Sequence, residues 1–205
     1  MPEITGVKER RGRARVSVDG EPWAELDAAV AIERGLREGA AFSWEELAEI
    51  REAGERPLAM TRALNLLGYR ARSEGEVRER LGRHDGYATE TVEAVIGRLG
   101  ELGYLDDEEF ARQRAQEKAR KYGPRRVSAD LMNSGVGRDL ASRAVADEFE
   151  GRSELADARS AASRRYNGGG SEAEARRVYG FLARRGYSAG VCAEVAREHR
   201  GPAQS

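Results

Sequence analysis

Residues 99–122 read LGELGYLDDEEFARQRAQEKARKY and contain the end of one helix and the beginning of the next. Apolar side chains at positions 92, 95, 96, 99 and 102 fall on one face of the first helix. Gly103 predicts a left-handed cap at its end, because glycine adopts a positive φ at little steric cost. The acidic run that starts at Asp106 predicts the beginning of the second helix, because carboxylates stabilise the positive end of a helix dipole. A short turn therefore separates two helices here.

The composition favours an elongated, mainly α-helical protein with a thin core. The chain has 205 residues, of which 35% are charged and 6% aromatic, so few residues are available for a deep core. Alanine, leucine, glutamate and arginine dominate the last three quarters, and all four favour helices. Cys192 is the single cysteine and cannot form an internal disulfide, and no apolar run has the length of a signal or membrane-spanning segment. We therefore expect a cytoplasmic protein without membrane association.

The N-terminal residues 4–26 form the one convincing β region. Apolar and polar residues alternate before Asp19-Gly20, a pair that predicts a two-residue hairpin turn. Basic side chains in the first half either contact phosphates or protect an exposed strand edge, and edge protection is the favoured interpretation. Residues 28–51 are predicted to be helical, with a capping box at Ser43 and Glu46, and residues 54–57 are predicted to be a linker. The basic residues of the hairpin are Lys8, Arg10, Arg11, Arg13 and Arg15.

After Pro57 the same pattern occurs three times. In each copy the second helix ends with leucine, followed by a glycine and an apolar residue. The glycines are 49 and 51 residues apart, a period that indicates tandem three-helix units stacked side by side in a curved array. We therefore predict four domains: 1–56, with the β-hairpin, and three repeats at 57–106, 107–151 and 152–205. The matching residues are Leu81, Gly86 and Tyr87; Leu131, Gly135 and Val136; and Leu182, Gly186 and Tyr187.

Charge is distributed unevenly along the chain. Residues 19–55 contain 11 acidic and 3 basic residues, whereas residues 110–128 contain 7 basic residues and 1 acidic residue. In a helix over residues 107–122, alanines at 111, 115 and 119 pack inward together with Tyr122, so the basic side chains lie outside or at the flanks. A solvated surface is the alternative for any single arginine. The predicted binding face consists of Arg112, Arg114, Lys118, Arg120, Lys121, Arg125, Arg126, Arg164, Arg165, Arg176, Arg177, Arg184 and Arg185.

The order of these motifs resembles the RecX family of bacterial recombinase regulators over residues 4–199. The densest match is the stretch 103–111, GYLDDEEFA, and the third repeat is the weakest match. The other matching motifs are Asp19-Gly20-Glu21, Ala63-Leu64-Asn65-Leu66-Leu67, Arg72-Ser73-Glu74 and Gly123-Pro124-Arg125-Arg126-Val127.

The resemblance implies a non-enzymatic regulator of recombination and DNA repair. Such a protein binds the RecA filament along its helical groove and restrains strand exchange, ATP hydrolysis and cleavage of LexA, and so acts on the SOS response. A basic face would be attracted to acidic protein surface and to the DNA in such a filament. We expect the chain to act as a monomer.

DNA binding without a protein partner is the alternative function. The leucine, glycine and apolar pattern also suits a helix-turn-helix, but the helix that would enter the DNA groove is acidic or neutral in all three units. Weak contact with single- or double-stranded DNA that does not depend on sequence stays open as an alternative.

An enzymatic function is the least favoured. His84, His199 and Cys192 do not have the spacing of a zinc site, and Cys192 fits a buried position on an apolar helix face. Residues 167–170 predict a break between helices, and a capping box at Ser171 and Glu174 predicts that a new helix begins after it. The glycines at 168–170 lack the Lys-Ser or Lys-Thr that follows a phosphate-binding loop. We therefore predict no catalytic residues, no metal site and no cofactor.

Overall fold

The computed structural model describes residues 1–166 and 170–200. It confirms a mainly α-helical fold that follows a small N-terminal antiparallel sheet. Residues Met1–Asp106 form one compact unit, called unit 1, and a second compact unit, called unit 2, begins at Asp107. The elements are β1 Ile4–Arg10, β2 Arg13–Val18, β3 Glu21–Asp27, α1 Ala28–Glu33, α2 Trp44–Tyr69, α3 Glu74–Glu79, α4 Thr89–Glu101, α5 Asp107–Ala119, α6 Pro124–Asn133, α7 Arg138–Phe149, α8 Glu154–Ser163, α9 Glu172–Arg184 and α10 Ala189–His199.

The β region has three strands in the order β1-β2-β3, instead of the two strands of the predicted hairpin. The predicted turn is confirmed, since Asp19 and Gly20 both have positive φ values of 49° and 88°. Arg11 and Gly12 form a second turn of the same kind, with φ values of 54° and 75°. Positive φ at both central positions matches the twist of the flanking strands. The extra turn converts the hairpin into a meander.

The position of the basic strand residues corrects part of the edge-protection prediction. Arg13 and Arg15 lie on the central strand β2, and their side chains bind Glu25 on β3 at 2.8 Å and 3.1 Å. They therefore serve as cross-strand ion pairs. Lys8 and Arg10 lie on the outer strand β1, which is the position that edge protection requires.

The predicted helical stretch over residues 28–51 is confirmed at both ends but interrupted between Glu33 and Trp44, and the predicted linker at 54–57 is wrong, because α2 continues through it. Helix α1 ends at Glu33, and Gly35 with a φ of 71° follows it. Helix α2 then begins behind Ser43, whose hydroxyl accepts the Glu46 N–H at 3.1 Å, while the Ser43 N–H donates to the Glu46 carboxylate at 2.7 Å. This capping box is confirmed.

Helix α2 continues through Pro57 because tertiary packing stabilises it on both sides of the proline. Gly54 is buried against Leu26 of the sheet, and a Cβ at this glycine would lie 2.8 Å from the Leu26 Cβ. Glu55 and Ala59 are also buried. Packing of this kind outweighs the helix-breaking preference of proline, because that preference is set by the local backbone alone.

Three copies of a three-helix arrangement follow the sheet. Repeat 1 contains the C-terminal part of α2, then α3 with a π-helical turn Arg80–His84, and α4; repeat 2 contains α5–α7, and repeat 3 contains α8–α10. Gly86, Gly135 and Gly186 have φ values of 79°, 80° and 85°. In every repeat, the N–H of the residue after the glycine donates at 3.2 Å to the carbonyl of the buried leucine of the motif. This bond closes the helix in the same way three times, so the predicted repeat pattern is confirmed.

Each module has its own apolar cluster, and alanine is prominent in those of unit 2. The predicted domain limits stay a prediction. Representative buried residues are Ile4, Val16, Leu26 and Leu47 for the sheet module; Val77, Leu81, Val95 and Leu99 for repeat 1; Phe110, Ala115, Val127 and Leu131 for repeat 2; and Val178, Leu182, Cys192 and Val195 for repeat 3.

The cap after α4 and the apolar face of this helix follow the prediction, except that Leu102 is exposed. Gly103 has a φ of 72°, and the Tyr104 N–H donates to the Leu99 carbonyl at 2.9 Å. The apolar face of α4 is buried except at Leu102, which is 49% exposed.

In repeat 3, Ser171 caps α9 as predicted. The predicted break over residues 167–170 lies outside the described residues except for Gly170, and no helix in the described part of the chain is long and apolar enough to cross a membrane.

Candidate partner-binding surface

Helix α5 directs its small side chains into repeat 2. Ala111, Ala115 and Ala119 are buried, as their spacing predicts. The helix ends at Ala119, three residues before its predicted end at Tyr122. The N–H groups of Lys121 and Tyr122 both donate to the Lys118 carbonyl at 3.0 Å, which bends the chain into a turn. Lys121 and the preceding Arg120 are therefore exposed on a turn and not on a helix.

Four of the predicted surface cations bind carboxylates of the same repeat. Arg114 binds Asp130 at 2.6 Å and is largely buried, and Lys118 lies 3.8 Å from the same carboxylate. Arg112 binds Glu109 at 2.6 Å, and this hydrogen bond raises the pKa of Arg112. Arg176 lies 3.5 Å from the Glu172 carboxylate. Pairing within the protein reduces the charge that these side chains can offer a partner.

Three further cations contact neighbouring groups of their own unit. The Arg164 side chain donates to the Ser160 hydroxyl at 2.9 Å. Arg165 and Arg185 lie over the Phe181 ring, at 5.4 Å and 4.6 Å from its centre. Arg185 also donates to the Lys121 carbonyl at 2.7 Å. Arg185 therefore connects repeat 3 to the turn that follows α5.

The remaining six predicted cations form what we call the open cationic surface. All six are exposed, and in residues 1–166 and 170–200 none of them forms an ion pair with a carboxylate. Two lie on the turn after α5, two lie in the first turn of α6, and two lie on α9. They are Arg120, Lys121, Arg125, Arg126, Arg177 and Arg184.

The backbones of repeats 2 and 3 meet directly beside this surface. The Gly123 N–H donates to the Arg185 carbonyl at 2.8 Å, and the Arg125 N–H donates to the Gly186 carbonyl at 3.2 Å. A Cβ at Gly123 would lie 2.8 Å from the Gly186 oxygen, and a Cβ at Gly186 would lie 2.3 Å from the Arg126 nitrogen. Only glycine allows this approach at either position.

This junction forms one side of a groove of about 670 Å³ between α6 and α9. Three arginines, three tyrosines, three alanines and one glycine line the groove, and none of its lining residues is acidic. Its positive charge is therefore not neutralised from within. The lining residues are Tyr122, Arg125, Arg126, Ala129, Tyr179, Ala183, Arg184, Gly186, Tyr187 and Ala189.

The three tyrosines of the groove differ in accessibility. Tyr187 is buried, and burial raises the pKa of its phenol above the usual range. Tyr122 packs partly against the core of repeat 2. Tyr179 is 40% exposed and presents its side chain to the groove. A partner therefore meets one exposed ring, that of Tyr179, and part of the Tyr122 ring.

Two glutamates have a structural role that their sequence context does not indicate. The Glu55 carboxylate accepts the Ala88 N–H at 2.8 Å, at the N-terminus of α4. The Glu154 carboxylate accepts the Ser188 N–H at 2.6 Å and the Ser188 hydroxyl at 2.9 Å, at the N-terminus of α10. In repeats 1 and 3, a glutamate of the first helix thus caps the third helix.

The histidines and the cysteine considered for catalysis are not among the residues that line the groove. Cys192 is fully buried, its thiol lies 3.6 Å from the Tyr187 carbonyl, and burial raises its pKa. A raised pKa disfavours the nucleophilic thiolate. The His199 Nδ1 lies 3.0 Å from the Val195 carbonyl. The described residues contain no group of histidines, cysteines and carboxylates that is arranged to hold a metal ion.

Two family models match the chain, and each describes a three-helix domain. The model of the first three-helix domain of RecX matches residues 59–99, and the model of the second matches residues 106–145. These matches cover repeat 1 from Ala59 and most of repeat 2. The second match includes helix α5 and the basic residues at the start of α6.

Curated relatives carry the name regulatory protein RecX. The protein of Lactobacillus johnsonii is 34% identical over 144 residues, which cover 68% of this chain and 53% of the relative. The protein of Listeria monocytogenes serotype 4a is 24% identical and covers 97% of this chain and 75% of the relative. The chain thus spans about half the length of the Lactobacillus johnsonii protein.

Two solved structures share the fold. A crystal structure of regulatory protein RecX has a TM-score of 0.61 at 22% identity and covers 96% of this chain and 100% of that chain. The crystal structure of RecX from Lactobacillus salivarius has a TM-score of 0.56 at 18% identity and covers 71% of this chain and 96% of that chain. These structures support the fold, and the two family models together with the curated relatives show that the chain belongs to the RecX family.

Proposed function

We propose that this protein is a regulator that binds the RecA nucleoprotein filament and inhibits or modulates its recombinase, ATPase and coprotease activities. Membership of a family whose curated relatives are named regulatory proteins supports this function. In this proposal the protein acts without catalysis of its own. Its effects on DNA repair, recombination and the SOS response follow from its effect on RecA.

The observation that carries the proposal is the open cationic surface of unit 2. Residues 107–205 contain 19 basic and 15 acidic residues, whereas residues 1–106 contain 16 basic and 21 acidic residues. The excess of positive charge thus lies in the half of the chain with the six unpaired cations. A filament of protein on DNA offers both carboxylates and phosphates, and opposite charge accelerates association with such a surface.

Regulation follows if the protein binds one state of the filament better than others. A ligand shifts a conformational equilibrium only by the difference in its affinity for the two states. A protein that binds the assembled filament across neighbouring subunits favours one arrangement of those subunits. Strand exchange and ATP hydrolysis, which require changes between arrangements, are then slowed.

Co-sedimentation with RecA filaments tests this function directly. The filaments are assembled on single-stranded DNA with ATP, and binding and ATPase activity are measured at low and high salt. We expect the protein to sediment with the filaments, and the double variant Arg120→Glu/Lys121→Glu to bind at least about tenfold more weakly, which corresponds to about 1.4 kcal/mol.

A matched control distinguishes a local surface from general charge. Arg138→Glu/Arg143→Glu changes the net charge by the same amount at exposed positions of α7 outside the groove, and it should bind like the original protein. Absence of binding by the original protein at low salt rejects the proposed function. Equal losses in both variants reject the assignment of the surface.

Direct DNA binding is the second candidate, because the open cationic surface also suits phosphates. This candidate predicts that the protein competes with RecA for DNA. Inhibition would then disappear when RecA saturates the DNA. Inhibition that persists on saturated DNA supports the RecA filament as the partner.

A further inference from the structure

We propose that the groove between α6 and α9 binds an extended acidic peptide segment of a protein partner. The proposal rests on the proposed function in one respect: the RecA filament is the partner expected to supply the segment. The groove lies within unit 2, so the site needs no contribution from unit 1.

The three arginines of the groove provide its charge complementarity to an acidic peptide. Arg125 and Arg126 lie in the first turn of α6, and Arg184 lies in the last turn of α9. All three are exposed, and within the described residues none has a carboxylate partner. Guanidinium groups bind carboxylates with two parallel hydrogen bonds. Glutamates or aspartates of a bound segment would supply the negative charge that the lining of the groove lacks.

Three alanines and one glycine of the lining, which we call the floor of the groove, leave space for small apolar side chains of a bound peptide. Ala129, Ala183 and Ala189 end at Cβ, and Gly186 has no side chain at all. Their small size leaves space and apolar surface in the groove that the arginines line. A peptide in which apolar residues alternate with acidic ones would place one set on this floor and the other set on the arginines.

The limited aromatic surface favours a peptide over single-stranded nucleic acid. Grooves that bind single strands stack successive bases on several accessible aromatic rings. Here Tyr187 is buried and Tyr122 is partly buried, so the groove offers one exposed ring, that of Tyr179, and part of a second. Its hydroxyl is instead a suitable hydrogen-bond donor to a carboxylate or a peptide carbonyl.

The backbone junction makes the groove rigid before the partner arrives. The hydrogen bonds from the Gly123 N–H to the Arg185 carbonyl and from the Arg125 N–H to the Gly186 carbonyl fix α6 against α9. The contact of the two glycine backbones leaves little freedom for rotation. A binding site that is already ordered loses less entropy when a flexible segment binds.

Fluorescence anisotropy with three labelled probes tests the proposal on the full chain. The probes are a short peptide in which glutamates alternate with alanine and leucine, the same peptide with glutamine in place of glutamate, and an oligothymidylate of similar length. We expect the acidic peptide to bind and its glutamine counterpart to bind at least about tenfold more weakly, a difference of about 1.4 kcal/mol. Added salt should weaken binding of the acidic peptide.

Two variants locate the site by different means. Arg125→Glu/Arg126→Glu reverses the charge of two arginines of the groove. Ala183→Leu reduces the space in the groove without a change in charge. Ala183 is exposed, so a larger side chain fits the fold. Both should weaken binding of the acidic peptide at least about tenfold. Arg138→Glu/Arg143→Glu, the control used above, should leave it unchanged. Circular dichroism and the melting temperature check that each variant is folded.

The outcomes separate this inference from the proposed function. No binding of the acidic peptide, no effect of the groove variants, or tighter binding of the oligothymidylate at the groove overturns the inference. Co-sedimentation of the same variants with RecA filaments then gives an independent answer. If the original protein sediments with filaments and the groove variants do so equally well, the filament binds elsewhere and only the inference fails. If the original protein does not sediment, the proposed function fails.

Discussion

The two units join their modules in different ways. In unit 1, a continuous helix α2 links the sheet to repeat 1, and each of these two modules has its own ion pair: Arg62 binds Asp85 at 2.9 Å in repeat 1, and Arg13 binds Glu25 in the sheet. In unit 2, repeats 2 and 3 meet through the backbones of Gly123 and Gly186. The Arg185 side chain adds a hydrogen bond to the Lys121 carbonyl. The other arginines beside this contact, Arg125, Arg126 and Arg184, have no carboxylate partner within the described residues and are available for a partner.

The cavities beside the two contacts show the consequence. A cavity of about 350 Å³ in unit 1 is lined by Arg13, Glu25, Arg62, Asp85 and Tyr87, among other residues, so its charges compensate each other. The groove of unit 2 has three arginines and no acidic residue in its lining. A similar number of arginines thus stabilises the fold in one unit and remains accessible in the other.

The largest expected effect on the free energy of unfolding comes from replacing Gly186, because this substitution disrupts the backbone contact between repeats 2 and 3. In Gly186→Ala, the new Cβ would lie 2.3 Å from the Arg126 nitrogen, and the residue would keep a φ of 85° that alanine disfavours. We expect a loss of about 3 kcal/mol in the free energy of unfolding, measured by urea denaturation. Binding of the acidic peptide should weaken as well, because the groove loses its fixed geometry.

Gly135→Ala is the matched control for this prediction. Gly135 has a φ of 80° and the same capping role in repeat 2, but a Cβ there would meet no atom within 4 Å. It should cost about 1 kcal/mol, the penalty for the left-handed conformation alone. Equal effects of the two substitutions would show that the contact between repeats 2 and 3 contributes nothing beyond the cap.

These glycines also show which features the sequence predicts and which it does not. The caps at Gly86, Gly135 and Gly186 are local, since each depends on a few neighbouring residues, and a repeated spacing reveals them. The contact between Gly123 and Gly186 joins residues from different repeats, and the local pattern of Gly186 is the same as that of the other two. Its second role is therefore invisible until the fold is known.

The same distinction explains the corrections to the candidate surface. Spacing along α5 predicts correctly which alanines are buried. It does not predict that Arg114 binds Asp130, 16 residues away, or that Arg185 binds the carbonyl of Lys121, 64 residues away. Side-chain partners across a fold depend on tertiary geometry, whereas burial along a helix depends on its period. The sequence therefore predicts the basic character of unit 2 better than the choice of accessible arginines.

Removal of Glu55 should weaken unit 1 with the next largest effect. Glu55→Ala deletes a buried carboxylate that binds Arg51 at 2.6 Å and caps α4 at the Ala88 N–H. We expect a loss of about 2 kcal/mol in the free energy of unfolding, since the partly buried N–H loses its acceptor. Hydrogen exchange should show faster exchange of the Ala88 amide, while binding of the acidic peptide by unit 2 stays unchanged.

Glu154→Ala provides the corresponding change in unit 2. Glu154 caps α10 at Ser188 in the same manner but is only partly buried, so water can replace its hydrogen bonds more easily. We expect a smaller loss, of about 1 kcal/mol. A larger loss for Glu154 than for Glu55 would contradict the idea that unit 1 depends more heavily on buried and paired carboxylates than unit 2 does.

The smallest expected effect concerns the pH dependence of unit 1. The hydrogen bond from Arg13, joined by one from Arg15, lowers the pKa of Glu25 below its usual value of 4.5. A carboxyl whose pKa is lower in the folded state contributes stability above its unfolded pKa and loses that contribution as the pH falls through the folded pKa. Glu25→Gln should therefore reduce stability at neutral pH and make unfolding less sensitive to pH below about 4.5. The side chain is one third exposed, so solvent screening limits the loss to below about 1 kcal/mol. Urea denaturation at a series of pH values measures both effects, and an unchanged acid dependence in Glu25→Gln would show that the ion pairs of the central strand do not stabilise unit 1.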